Sequence, residues 1–243
     1  MPGASNPIAG SVWVRPSRSR GGQPTLNREQ IVKATVELLD ELGLGGLTMR
    51  RLGAKLGAGA TSLYWYVSNK DDLLELAIDE VMAEVEIPDL TQAGWRESAA
   101  ALSRGIRSMI LAHPWFTGLL GTTPNIGPNA MRATDRSIAV LTAAGFSGMD
   151  LGYVSQMLIC HAIGAATVEA AWRKNAATQV SVTEMAKSLS EYYERDHAAK
   201  YPNYVAWWEE NRSLDVDKMQ QDSFEFGLER LLDGLAVWLE RPT

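Results

Sequence analysis

The side chains best suited to chemistry in this sequence lie in one run, residues 48–70, TMRRLGAKLGAGATSLYWYVSNK. Three consecutive aromatics, Tyr64, Trp65 and Tyr66, sit beside the hydroxyls of Thr61 and Ser62, with Arg50 before them and Lys70 after. Rings with polar tips suit contact with sugar, methyl and phosphate groups. Three aromatics on so short a segment are too many to bury, so an outward face at Thr61, Ser62, Tyr64, Trp65 and Tyr66 is expected rather than a loop packed on a neighbouring domain. Lys70 gives an independent clue. A cation in the first turn of a helix opposes the macrodipole, but beside free N–H groups it helps build a phosphate site. On that ground function explains Lys70 better than folding does.

The surrounding periodicity supplies the elements that must hold these groups. Ile31, Ala34, Leu38 and Leu42 mark one helix face that Gly43 can end. Met49, Leu52 and Leu56 mark a second, short helix with Thr48 as cap and Gly57 as stop. After the tight connection 57–60 comes a brief segment, 61–67, and then a helix capped by Asn69 that buries Leu73, Leu74, Ala77, Ile78 and Val81. Short helix, glycine-containing turn and second short helix make a helix-turn-helix, in which Leu52, Leu56, Leu63 and Val67 brace the reading segment.

Further along, helices are expected at about 95–112, 128–144, 149–174, 183–199, 204–211 and 217–239, with no sustained alternation of strand type. The chain therefore reads as all-α: a basic mobile arm over 1–24, a helix-turn-helix domain over 25–71 and a larger helical regulatory and dimerisation domain over 72–243. Net charge is -6, yet residues 1–70 carry nine Lys/Arg against four acids, leaving -11 on the rest. That split suits a polyanion-binding module on an acidic body. Arg15, Arg18 and Arg20 of the arm either enter a minor groove, add nonspecific attraction, or belong to a solvated leader.

One cysteine, Cys160, excludes an internal disulfide and a thiolate-rich zinc site, and three histidines leave little for a metal centre, so no metal or cofactor is expected. Cys160 itself reads as a buried small hydrophobe. No glycine-rich phosphate loop, paired metal ligands or nucleophile elbow is present, which argues against an enzyme. No uninterrupted apolar stretch approaches the ~18 residues of a spanning helix, so a cytoplasmic protein with no membrane partner is expected.

The runs LTMRRLGAKLG, LYWYV and SNKDDLLELAIDEV resemble the DNA-binding domain of tetracycline-repressor (TetR) family regulators. A weaker resemblance to the regulatory domain of the tetracycline-repressor branch continues through WRESAAALSRGIRSMILAHPW, LGTTP and TAAGFS. The resemblance implies a homodimer that binds a palindromic DNA operator and is released by a small-molecule inducer. It aligns Arg50 with the arginine that reads guanine, Tyr64 and Lys70 with phosphate contacts, and Ser62, Trp65 and Tyr66 with positions that touch bases or backbone. The chain departs at Ala60, Thr61 and Tyr66, so its operator should differ, and Gly53 stands where an alanine is usual.

Ligand contacts are expected at Gln156, His161 and Glu169, polar groups on apolar helices, with Trp172 a turn beyond, and also at Ile106 and His113. The apolar stripe Phe224, Leu228, Leu231, Leu235, Trp238 and Leu239 is long enough for internal packing and a partner surface. At four positions where the tetracycline repressor holds drug and magnesium this chain has Leu119, Leu102, Ile106 and Ser137, which disfavours a magnesium-tetracycline inducer and favours an apolar or aromatic one. The expected function is thus a ligand-responsive homodimeric repressor. The alternatives are a ligand-independent or activating regulator, and a structural dimerisation protein.

Overall fold

A computed structural model describes residues 8–15, 26–88, 93–178, 188, 191–192, 200–211 and 215–241. Helices account for nearly all regular structure, and no strand occurs among the described residues.

Helix α1 (Arg28–Gly46) starts with a reciprocal cap, in which the Asn27 side chain accepts from the Gln30 N–H and Gln30 reaches back to the Asn27 N–H. Gly43, at φ 66°, breaks it a turn before its end, a left-handed conformation open to glycine. Helix α2 (Met49–Lys55) is capped by Thr48, α3 (Ala60–Leu63) is a single turn, and α4 (Lys70–Met82) is capped by Asn69. Ile31, Leu38, Leu39, Leu52, Leu63, Leu73 and Ala77 interlock as the core of this reading head.

The body follows as α5 (Trp95–Ala112), a 3₁₀ segment (Pro114–Leu119), α6 (Pro128–Ala144), α7 (Met149–Thr178), α8 (Pro202–Asn211) and α9 (Val216–Leu239). Pro128 opens α6, and Gly145, at φ 109°, closes it with a left-handed cap. Leu102, Ile106, Met109 and Ile110 of α5 meet Leu158, Ala162 and Ala166 of α7, while Phe224, Leu228, Leu232 and Leu235 of α9 close the layer. Helix α4 packs on α1 and on α6, so the expected boundary after residue 71 falls inside an element shared by head and body. Apart from Ser188, Glu191 and Tyr192, the helix expected over 183–199 lies outside the described residues.

By length and composition α7 would pass for a membrane-crossing helix over Met149–Lys174, with mean hydropathy 1.4. It nevertheless carries Glu169, buried and ion-paired with Arg107 of α5.

Two expectations are corrected. Cys160 is exposed rather than buried, on the outer face of α7, where its Sγ accepts from Gln156 Nε2 at 2.9 Å. The arm is not featureless in its middle: Ile8 to Arg15 form a turn with Ser11 buried against α4.

Candidate nucleic-acid interface and regulatory cavity

Recognition requires a rigid reading segment, and the head supplies one. Leu63 and Val67 are buried, Leu52 beneath them is sealed, and Leu56 is half-buried. The N–H groups of Tyr66 and Val67 both donate to the Leu63 carbonyl, which continues α3 as a tight turn. Thr61 and Ser62 face outward, and Tyr64 and Trp65 are 50% and 62% exposed. Arg50 is exposed and makes no hydrogen bond or ion pair among the described residues, whereas Arg51 donates to the Gly46 carbonyl at 2.9 Å. Of the two adjacent arginines, only Arg51 is engaged within the protein among the described residues.

Gly53 now has a physical account. A Cβ there would lie 2.7 Å from the Ala58 carbonyl oxygen and 3.2 Å from the Ala60 nitrogen, so α2 meets the turn closely only as glycine. The same contact is tied by the Ala58 N–H, which donates to the Gly53 carbonyl at 2.9 Å.

Tyr66 and Lys70 depart from expectation. Tyr66 is half-buried, and its hydroxyl donates to the Leu26 carbonyl, tying the reading segment to the start of α1. Lys70 Nζ donates to the Leu44 carbonyl at 2.9 Å. The break at Gly43 leaves carbonyls at the end of α1 without helical partners, and a cation there is favourable on both hydrogen-bond and dipole grounds. Folding therefore explains Lys70 without a phosphate. Lys55 is likewise engaged, by Glu37 and Glu41, whose hydrogen bonds raise its pKa above the ordinary lysine value.

The six expected ligand residues share none of the cavities lined by described residues. Ile106 is in the α5 core. Glu169, nearly sealed, accepts from Arg107 Nη2 at 2.6 Å and Arg173 Nη2 at 2.7 Å, so an internal ion pair satisfies it rather than a ligand. His161 stacks on Phe224, with ring centroids 5.2 Å apart, and its Nε2 donates to the Phe224 carbonyl at 2.9 Å. Gln156 and Trp172 are exposed on α7. His113 belongs to the joint between head and body: Nδ1 lies 2.7 Å from Asp40 of α1, Nε2 lies 3.1 Å from Glu84 beyond α4, and Trp115 Nε1 donates to the same Asp40 oxygen at 2.7 Å.

Sequence reasoning passed over Ser98 and Ser103, and took Ser137 only as a position where the tetracycline repressor's drug and magnesium contacts are missing. Ser98, Ser103 and Ser137 are buried, and each hydroxyl lacks a hydrogen-bond partner among the described residues. Ser98 and Ser137 line a narrow crevice with Leu102, Val140, Leu141 and Leu158 that leaves no room for a water molecule. Ile87 borders both this crevice and an open cleft of about 760 Å³ flanked by Glu86, Arg132 and Arg136. Leu102 and Ser137 are two of the four positions the family resemblance had placed at the drug site. Their visible signal is periodicity: Ser98 precedes Leu102 by four, and Ser137 precedes Leu141 by four, so both serines occupy apolar faces.

A second joint links that region to the reading head. Asp79 of α4, buried, accepts the N–H groups of Asn129 and Ala130 at 2.9 and 3.0 Å, capping the start of α6. Gly127 permits the approach, since a Cβ there would sit 2.3 Å from the Asp79 carboxyl carbon.

Comparison with known proteins agrees with this geometry. Residues 31–77 match the family model described as bacterial regulatory proteins, tetR family, and residues 87–239 match the tetracyclin repressor-like C-terminal domain. An HTH-type transcriptional regulator of Saccharopolyspora erythraea is 38% identical over 199 residues, covering 81% of this chain and 83% of that one. The HTH-type transcriptional repressor DrrR1 of Streptomyces coeruleorubidus is 34% identical over 223 residues, 90% of this chain and 80% of its own. Among solved structures, the Streptomyces coelicolor TetR family protein ActR in complex with actinorhodin superposes with a TM-score of 0.73 at 30% identity, covering 89% of this chain and 99% of that one. The chain belongs to the TetR family of transcriptional regulators, and is thus a DNA-binding regulator rather than an enzyme.

Proposed function

We propose that the protein is a homodimeric repressor of a nearby gene, acting in the cytoplasm, that leaves a palindromic operator when a small apolar or aromatic molecule enters the body. The observation that carries the DNA part is the exposed face formed by Arg50, Thr61, Ser62, Tyr64 and Trp65 on a segment braced from beneath. Arg50 reads a base edge, the hydroxyls and rings contact bases and backbone, and Tyr66 and Lys70 hold the reader in place.

Two outward apolar faces support the dimer. Met149, Tyr153, Met157, Val168 and Trp172 on α7, and Phe226, Val237 and Trp238 on α9, are exposed large side chains on adjacent helices. Two such pairs would make a four-helix interface and set the readers about one DNA turn, ~34 Å, apart.

The open cleft that adjoins the Ser98–Ser137 crevice at Ile87 supports the ligand part, because a molecule seated there that opens the crevice would give an unpaired buried hydroxyl a partner. Similarity to ActR, solved in complex with actinorhodin, points the same way. The ligand acts by preferring one of two arrangements of α6, which Asp79 transmits to α4 and the reader.

Selection of duplexes from a random pool tests the whole reading. Two inverted half-sites one turn apart are expected, with release on adding a planar aromatic compound that also raises the melting temperature. A pool that converges on no sequence refutes it.

A further inference from the structure

The turn formed by Ile8 to Arg15 lies before the residues matched by either family model, yet it accounts for two buried acids in the reading head. Glu75, on α4, is 5% exposed; its Oε2 accepts the Ser11 hydroxyl at 2.5 Å and the Val12 N–H at 3.2 Å. Asp72, one turn earlier, is 2% exposed and ion-paired with Arg15. Arg15 also donates from Nη1 to the Ser68 hydroxyl at 3.1 Å and from Nε to the Ser11 carbonyl at 3.3 Å. Next to this, the Trp13 ring carries the Arg28 guanidinium at 5.3 Å.

What these contacts hold is the link between α3 and α4. Asp72 Oδ2 accepts the Ser68 N–H at 2.7 Å, and Ser68 directly follows the reading segment. The reader is therefore pinned on two sides, through Tyr66 to Leu26 and through Ser68 and Asp72 to Arg15. A carboxylate as buried as Asp72 holds its position only while its charge is balanced. Arg15 supplies that balance from outside the three-helix domain.

We propose that Arg15 is a positioning residue for operator recognition, acting through Asp72 and Ser68 on the pitch of the Tyr64–Trp65 face, with Ser11 and Glu75 anchoring the turn that carries it. The guanidinium is committed to Asp72 and Ser68, so its part in recognition is orientation rather than neutralising phosphate. This rests on the DNA-binding reading above.

The test uses the full chain and a duplex that the wild-type protein has selected from a random pool. Active protein is counted by stoichiometric titration, so each dissociation constant refers to folded molecules only. Arg15→Ala should weaken the selected duplex about tenfold, change a scrambled duplex less than twofold, and leave the slope of affinity against salt unaltered. Arg15→Lys, which keeps the charge but loses the second contact, should fall between. Adding Asp72→Asn to Arg15→Ala removes the unpaired charge while keeping an acceptor for Ser68, and should restore most of the affinity.

Three results overturn the proposal. Arg15→Ala with unchanged operator affinity in the active fraction assigns the turn to stability alone. Equal loss on both duplexes with a salt slope lower by about one makes Arg15 a phosphate contact. No recovery in the double variant removes Asp72 from the path. A wild-type protein that selects no duplex would instead refute the DNA-binding reading, a different result from any of these.

Discussion

The reading head and the body treat their buried polar groups differently. In the head, Thr35 donates to the Ile31 carbonyl, the Asp72 carboxylate is bonded to the Ser68 N–H and to Arg15, and Glu75 is bonded to Ser11. In the body, Arg107 and Glu169 are just as fully paired, but Ser98, Ser103 and Ser137 on α5 and α6 have no partner among the described residues. Nearly complete pairing, with the Trp13 indole N–H the buried exception among the described residues, fixes one geometry, as a surface that must match a duplex requires. Unpaired hydroxyls beside an apolar crevice leave that part of the core short of its best arrangement, which a regulatory core can use.

The largest expected effect breaks the body where it resembles the head. Glu169→Ala leaves Arg107 charged and buried without its partner, and losing one member of such a pair costs on the order of 3–5 kcal/mol. Denaturant unfolding should show the midpoint falling accordingly. A variant of wild-type stability that no longer answers to ligand would return Glu169 to the ligand site.

Arg50→Ala comes next and acts at a head cation that makes no hydrogen bond or ion pair among the described residues. It should cost ~1–3 kcal/mol in operator binding and relax the preference at one base position. Footprints or selected sequences from the variant give the check; an unchanged base preference would remove Arg50 from base reading.

These two variants also mark where the sequence was readable. Helix limits emerged wherever a local residue sets them: α5 and α6 end where His113 precedes Pro114 and where Gly145 follows Ala144, and Asn69 caps α4 through its own side chain. The outward face of Thr61, Ser62, Tyr64 and Trp65 follows from periodicity over a few residues, which is also local. Partners distant along the chain carry no such mark. Tyr66 meets a carbonyl 40 residues away, Lys70 one 26 away, and Glu169 an arginine 62 away. The turn at Ser11 escaped because polar bonds to α4, rather than any apolar period, hold it.

Ser137→Ala sharpens the contrast from the body's side. Removing a buried hydroxyl that has no partner takes away a desolvation penalty of about 1–3 kcal/mol and leaves a cavity of only one atom. The variant should therefore be as stable as the wild type or more so, while ligand-induced stabilisation shrinks, both read by thermal melting with and without compound. A loss of stability would mean that the hydroxyl already has a partner in solution, and the head and body would then differ less than their bonding suggests.

Lys70→Ala gives the smallest effect and tests the head's self-sufficiency. Its cation caps the Leu44 carbonyl at the broken end of α1, so the change should lower stability by ~0.3–1 kcal/mol, the usual worth of a cation at a helix C-terminus. Because Nζ is engaged within the protein, the salt dependence of operator binding should keep its slope. A slope lower by about one would show that Lys70 exchanges Leu44 for a phosphate when DNA arrives. One side chain would then serve the fold in the free protein and the duplex in the complex, and the head's internal pairing would be a resting arrangement that binding rearranges.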